Sequence, residues 1–120
     1  MADLRQNAVS LISSTSGIDM KTAASTTLYT VPTGKNLVVD HVVIRGNSAS
    51  LAGGTSYSFT NFRQTVDLSG MTTTTGSRTL YAADNTTYVI STAATAVQIT
   101  VTTGASSAGT AVVDIYGYLY

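Results

Sequence analysis

The sequence predicts an all-β protein, more closely a jelly-roll-like antiparallel β-sandwich of about eight strands. Ser and Thr together supply 36 of the 120 residues, whereas Glu is absent and only two Lys and three Gln are present. The long unbranched side chains that favour helices are therefore scarce, and β-branched, short polar and aromatic residues are abundant. Stretches of these residues alternate with turn residues at a spacing of about ten residues, which is typical of sandwiches and barrels.

The N-terminal stretch differs from the rest, so residues 1–17 are predicted to be a short arm or helix that precedes a sandwich domain of residues 18–120. Two interpretations remain open for this stretch: a helix packed on its own domain, or an arm that reaches a neighbouring subunit. Because exposed aliphatic clusters are rare, another part of the protein or a partner is expected to cover the apolar side chains of this stretch. Four apolar residues recur at the spacing of one helix face: Leu4, Ala8, Leu11 and Ile12.

From residue 18 onward, short strands end at turn residues. Pro32 and Gly34 end the second strand, because Pro fixes φ and Gly permits positive φ in a tight turn. Gly46 ends the longest strand, and Gly53 and Gly54 mark the turn that follows. The predicted strands cover residues 18–22, 26–31, 36–45, 55–60, 65–68, 78–82, 86–91, 96–102 and 111–120.

The later strands show alternation most clearly. Tyr57 and Phe59 share one face of residues 55–60, and residues 96–102 place apolar side chains at every second position. The Gly- and Ser-rich loop at residues 104–109 predicts a hairpin between the last two strands. The threonine run at residues 72–75 is interpreted as a solvated loop or edge strand, or as a contact loop.

The last strand separates aliphatic from aromatic side chains. Val113, Ile115 and Leu119 fall on one face, and Tyr116, Tyr118 and Tyr120 fall on the other. The tyrosines either stabilise the sheet through cross-strand pairs or form a subunit or partner interface, where Tyr is enriched. The candidate interface residues are Leu4, Ala8, Leu11, Ile12, Tyr116, Tyr118 and Tyr120.

The residues that usually carry chemistry are few. His41 is the only histidine and cysteine is absent, so a zinc site lacks ligands. Alternation places His41 on the face of Leu37, Val39 and Val43 and Asp40 on the opposite face, which predicts a structural histidine. No serine stands in a G-x-S-x-G motif, and no phosphate-binding glycine loop is present. The sequence predicts no enzyme, catalytic residue, metal site, cofactor or small-molecule substrate.

The charges favour neither nucleic acid nor membrane as a partner. Six basic and six acidic residues are scattered and give a net charge of zero, without the basic stripe that nucleic-acid binding requires. No apolar run approaches a membrane span of about 20 residues. The first residues lack the apolar segment of a signal peptide, which predicts synthesis in the cytoplasm.

Three segments resemble a known family. Residues 26–35 read TTLYTVPTGK, the strand NLVVDHVVIRGNS follows, and the chain closes with AVQITVTTGASSAGTAVVDIYGYLY. This pattern resembles small β-sandwich virion proteins of tailed bacteriophages, most of all capsid decoration (cement) proteins. The resemblance implies a homo-oligomer, a trimer in preference to a dimer, that bridges neighbouring major capsid subunits on the outer capsid surface after synthesis in the host cytoplasm. A tail or fibre-tip component and a non-viral carbohydrate-binding module are the alternatives.

Overall fold

A computed structural model describes residues 9–62, 64–82 and 89–120. In these ranges the chain forms eight strands in two antiparallel sheets packed together, and no α-helix is present. The predicted all-β sandwich is therefore confirmed. The strands are β1 (Ser10–Asp19), β2 (Ala24–Thr30), β3 (Leu37–Arg45), β4 (Ser56–Phe59), β5 (Ser77–Tyr81), β6 (Val89–Ser91), β7 (Ala96–Thr103) and β8 (Thr110–Leu119).

The two sheets differ in size. The large sheet has the order β1-β8-β3-β5, and β6 pairs with the same side of β3 as β5 does. The small sheet has the order β2-β7-β4. The chain passes from one sheet to the other at every connection except that between β5 and β6, which is the jelly-roll pattern.

Most predicted strands are found within two residues of their predicted bounds. The strand expected over residues 65–68 reduces to one bridge between Val66 and Tyr57. Of the strand expected over residues 86–91, residues 89–91 form β6 and residues 86–88 lie outside the described residues.

The helix expected near the N-terminus does not reach Leu11 or Ile12, because both lie in β1. The predicted boundary between residues 17 and 18 also falls inside this strand. Pairing with β8 provides hydrogen bonds for this backbone, and Ser and Thr are poor helix formers. Two register shifts in β1, one beside Gly17 with a φ of 71°, interrupt the alternation that would mark a strand.

The core lies between the sheets and is formed by the inward side chains of both. Tyr57 is fully buried, and its hydroxyl donates a hydrogen bond to the Met20 carbonyl at 2.8 Å. Burial raises the pKa of the Tyr57 phenol, since the charged form would lose its water. Tyr57 and Phe59 share the inward face of β4, as the alternation predicts.

Side-chain hydroxyls join the two sheets along one side of the sandwich. Ser13 and Thr15 of β1 both donate to the Leu28 carbonyl of β2, at 2.8 and 3.3 Å. This carbonyl lies in an edge strand of the small sheet. The hydroxyls therefore satisfy a backbone acceptor that an additional strand could otherwise use.

Candidate interaction surface

The outer face of β8 carries the tyrosines, as predicted. Val113 and Ile115 are fully buried in the core, whereas Tyr116 and Tyr118 are half-buried on the opposite face. Tyr120 follows the end of β8 and is 54% exposed, and its backbone pairs with that of Asn36. The prediction of one aliphatic and one aromatic face is therefore confirmed for this strand.

Tyr116 belongs to a row of side chains that crosses the large sheet. Leu11 of β1 lies opposite Tyr116, Tyr116 lies opposite His41 of β3, and His41 lies opposite Tyr81 of β5. The rings of His41 and Tyr116 are stacked, with centroids 4.5 Å apart and planes 9° apart. The Tyr81 ring is tilted against His41 at 5.6 Å. Such cross-strand contacts stabilise a sheet and also create a continuous surface.

A second row lies beside the first. Val38 of β3 is opposite Tyr118 of β8 on one side and Ile90 of β6 on the other. We call the two rows together the aromatic face; its members are Leu11, Tyr116, His41, Tyr81, Tyr118, Val38 and Ile90.

The aromatic face and its margin hold every strongly exposed large hydrophobic side chain among the described residues. Three of these belong to the face, and two stand at its margin, where Val9 precedes β1 and Tyr120 follows β8. Their exposed fractions are 46% for Val9, 52% for Leu11, 54% for Tyr81, 48% for Ile90 and 54% for Tyr120. Scattered exposed apolar residues need no explanation, but contiguous ones mark an interaction site.

The predicted orientation of His41 relative to Leu37 and Val39 is wrong. The register of β3 against β8 shifts between Val39 and His41, so Asp40 is an extra residue in a bulge. The extra residue moves the alternation by one position, and His41 therefore faces outward while Leu37 and Val39 face the core. Val43 remains on the same face as His41, as expected.

Asp40 is also placed differently from the prediction, which put it on the face opposite His41. Its Oδ2 lies 2.7 Å from Nδ1 of His41, with both side chains partly buried. The bulge that turns His41 outward brings the two side chains together. His41, inside the central row, is thus paired with an adjacent acid.

An ion pair lies on the same outer side of the large sheet, at the end of β3. Nε of Arg45 donates to Oδ2 of Asp114 at 2.7 Å, and the Asp114 side chain is almost fully buried. Burial alone would raise the pKa of the Asp114 carboxyl, but the hydrogen bond and positive charge of Arg45 contribute to lowering it overall. The outer side of the sheet therefore has an ion pair at the end of β3, besides the Asp40–His41 pair in the middle of that strand.

The Asp114→Asn variant is expected to be less stable than the wild type at neutral pH by about 1 kcal/mol. Its free energy of unfolding should also change less as the pH is lowered. The lowered pKa means that the carboxylate stabilises the fold above its unfolded pKa of about 3.9. This contribution disappears as the pH falls through the folded-state pKa. Urea unfolding between about pH 2 and 7 should show the two stability curves converging below about pH 4.

The matched control for this experiment is Asp67→Asn. Asp67 is exposed and accepts a hydrogen bond from the Ser69 backbone N–H, which an Asn side-chain oxygen can also accept. Its substitution should change neutral-pH stability less than that of Asp114. Equal losses for the two variants would contradict a stabilising role for the Arg45–Asp114 pair.

The outer face of the small sheet is chemically different. The Ser25 and Thr100 hydroxyls are 2.9 Å apart, and Nε2 of Gln98 donates to the Thr27 hydroxyl at 3.1 Å. These polar side chains hydrogen-bond to one another across the strands. The two outer faces of the sandwich therefore differ: one is largely apolar and the other is covered by hydroxyl and amide groups.

The predicted interface residues separate into three groups. Leu11, Tyr116, Tyr118 and Tyr120 lie on or beside the aromatic face. Ile12 is only partly buried but packs against the core, away from this face. Leu4 and Ala8 lie outside the described residues.

Sequence reasoning missed four members of the face, Tyr81, His41, Val38 and Ile90, because their strands become neighbours only in the folded sheet.

Within the described parts of the chain, no pocket is present and no three His, Cys, Asp or Glu side chains are grouped to hold a metal ion. The same parts contain no apolar helix of membrane-spanning length. Comparisons with protein-family models, curated proteins and solved structures found no match. The aromatic face is therefore the best-supported candidate site, and it is a surface suited to binding.

Proposed function

We propose that this protein is a structural virion component that decorates a phage capsid by bridging neighbouring major capsid subunits. The aromatic face carries the proposal, because it concentrates exposed apolar side chains on one side of a compact sandwich. Large amphipathic Tyr side chains contribute contact area at low entropic cost and are enriched in protein interfaces. The resemblance of residues 26–48 and 96–120 to decoration proteins adds the virion context.

The proposed role requires little affinity from each copy. A clamp that contacts several capsid subunits at once gains effective concentration, so weak individual contacts become a stable attachment. The zero net charge and the pairing of Arg45 with Asp114 make these contacts short-range. Attachment should therefore depend only weakly on salt.

A carbohydrate-binding module is the second candidate, because aromatic side chains on a flat sheet can serve as a platform for sugar rings. The geometry of the central row favours a protein partner instead. His41 and Tyr116 stack face to face, so each ring covers a face of the other. Sugars stack on open ring faces, and the mutual stacking leaves fewer of these faces open.

The test is the copy number of this chain in purified particles of its source phage, measured by quantitative mass spectrometry against the major capsid protein. Decoration requires a copy number comparable with that of the major capsid protein, and addition of the purified chain should stabilise undecorated shells against heat. A few copies per particle would favour a tail or fibre-tip component. Absence from particles, together with binding on a glycan array, would favour the carbohydrate module.

A further inference from the structure

We propose that the aromatic face pairs with the same face of a second copy of this chain, forming a two-fold dimer. This inference deepens the proposed virion role but does not depend on it: the aromatic face joins two copies, and the dimer is then the unit that bridges capsid subunits through its other surfaces. It differs from the trimer expected from the sequence resemblance, because face-to-face pairing of identical surfaces closes after two copies.

The first argument is the chemistry of the face. Leu11 and Tyr81, at the two ends of the central row, each expose more than half of their side-chain surface. The outer face of the small sheet instead presents hydroxyl and amide groups already hydrogen-bonded to one another. Water accommodates the second surface better than the first, so a partner covers the aromatic face.

The second argument is charge. The face contains no Lys or Arg, and its one base, His41, is hydrogen-bonded to the neighbouring Asp40 of the same chain. Two copies of such a face can therefore meet without like charges opposing each other. A strongly acidic or strongly basic partner would match only one of these two groups.

The third argument is area. Four strand positions spaced about 4.8 Å apart and two rows about 7 Å apart give a patch of roughly 19 by 14 Å, on the order of 300 Å² per copy. This is smaller than the average of about 800 Å² per partner in stable specific interfaces, so the patch supports only a weak association. The patch fits a weak dimer with a Kd in the micromolar range, formed by two sheets packed about 10 Å apart.

The experiment is sedimentation equilibrium on the full chain between about 1 and 100 µM, with two face variants, Leu11→Ser and Tyr81→Ser. Each variant is expected to raise the dimer Kd at least tenfold, because it removes an exposed apolar anchor from one end of the row. Both side chains are more than half exposed, so the fold should persist. Thermal unfolding followed by circular dichroism checks this.

Two matched controls keep their hydroxyl groups. Thr79→Ser lies on the outer side of β5, two residues from Tyr81 and opposite Val43, but outside the aromatic face. Thr27→Ser lies on the outer face of the small sheet, where Ser can still accept the hydrogen bond from Gln98. Both controls should keep the wild-type Kd within about twofold, since neither alters the proposed contact.

Three outcomes would overturn the proposal. A wild-type chain that stays monomeric across the whole range would show that no second copy covers the face. If deletion of residues 1–8 then produced dimers, the cover would be that segment of the same chain. An oligomer unaffected by either face variant would use another surface, and a trimer would exclude two-fold pairing.

Discussion

Replacing Gly117 by alanine is expected to lower the free energy of unfolding by about 3 kcal/mol. Gly117 lies in β8 opposite Val39, beside the bulge at Asp40, where β3 and β8 approach closely. A Cβ built on Gly117 would overlap the carbonyl oxygen of Val38. The obstructing atom belongs to the backbone of a paired strand, so no side-chain rotation can relieve the overlap.

The position of β8 makes this overlap costly. β8 lies between β1 and β3 in the large sheet, and it is hydrogen-bonded on both sides. Moving it away from Val38 would disturb pairing with β3 and the stacking of Tyr116 on His41. The added methyl group therefore costs interactions on the sheet as well as in the core.

Gly70→Ala is the matched control, because a Cβ at Gly70 would meet nothing within 4 Å. Urea unfolding at neutral pH should place the Gly70 variant within about 0.5 kcal/mol of the wild type. Equal unfolding free energies for the two variants would show that β3 and β8 can separate at little cost. The close approach beside the bulge would then have no structural importance.

Composition and alternation predicted the strands in which side chains alternate between the two faces without interruption. In β7, Val97, Ile99 and Val101 face the core at every second position, and the chain pattern alone was sufficient to find them. The same rule failed where one extra residue interrupts the phase. The bulge at Asp40 reversed the predicted side of His41, and a period of two cannot reveal an added residue.

The expected helix at Leu11 and Ile12 is wrong for a related reason. Leu11 and Ile12 fit a helical spacing only because register shifts in β1 disrupt the alternation of a strand. Pairing with β8 then determines the structure, since local propensity is a weak prior against tertiary contacts. Of the two apolar residues expected to be covered, Ile12 packs against the core, whereas Leu11 is exposed and its cover stays a prediction.

The candidate site was predicted in part. The row of tyrosines on β8 follows from the sequence of one strand, but the full aromatic face depends on strand order. Tyr81 and Ile90 join it because β5 and β6 both pair with β3. Pairing between distant strands is set by the packing of the whole sandwich, and no local pattern near Tyr81 encodes its neighbours.

The Asn47→Ala variant is also expected to lose about 3 kcal/mol of stability. The Asn47 side chain is fully buried and makes three hydrogen bonds, all to the backbone. Its Nδ2 donates to the Ala49 and Thr73 carbonyls at 2.8 and 2.9 Å, and its Oδ1 accepts from the Gly76 N–H at 2.9 Å. Alanine would leave these backbone groups, which belong to exposed or partly buried residues, without their side-chain partner and would remove a fully buried amide.

The controls separate hydrogen bonding from side-chain size. Asn36→Ala keeps the backbone hydrogen bonds between Asn36 and Tyr120, so it should cost much less. Asn47→Asp has nearly the volume of Asn but replaces the donor by a carboxylate oxygen facing two carbonyls. It should cost at least as much as Asn47→Ala, because the oxygen that replaces Nδ2 is buried and meets only carbonyl acceptors.

The order of these variants tests how the threonine run at residues 72–75 is held in place. This run lacks an aliphatic side chain that could anchor it in the core, so its position depends on polar contacts. Besides the Asn47 side chain, the backbone contributes bonds from Thr75 to Asn47 and from Gly46 to Gly76. If Asn47→Ala proves as stable as Asn36→Ala, these backbone bonds alone hold the loop. If the Asp variant is the worst of the three, the amide donor of Asn47 is what fixes the loop against the end of β3.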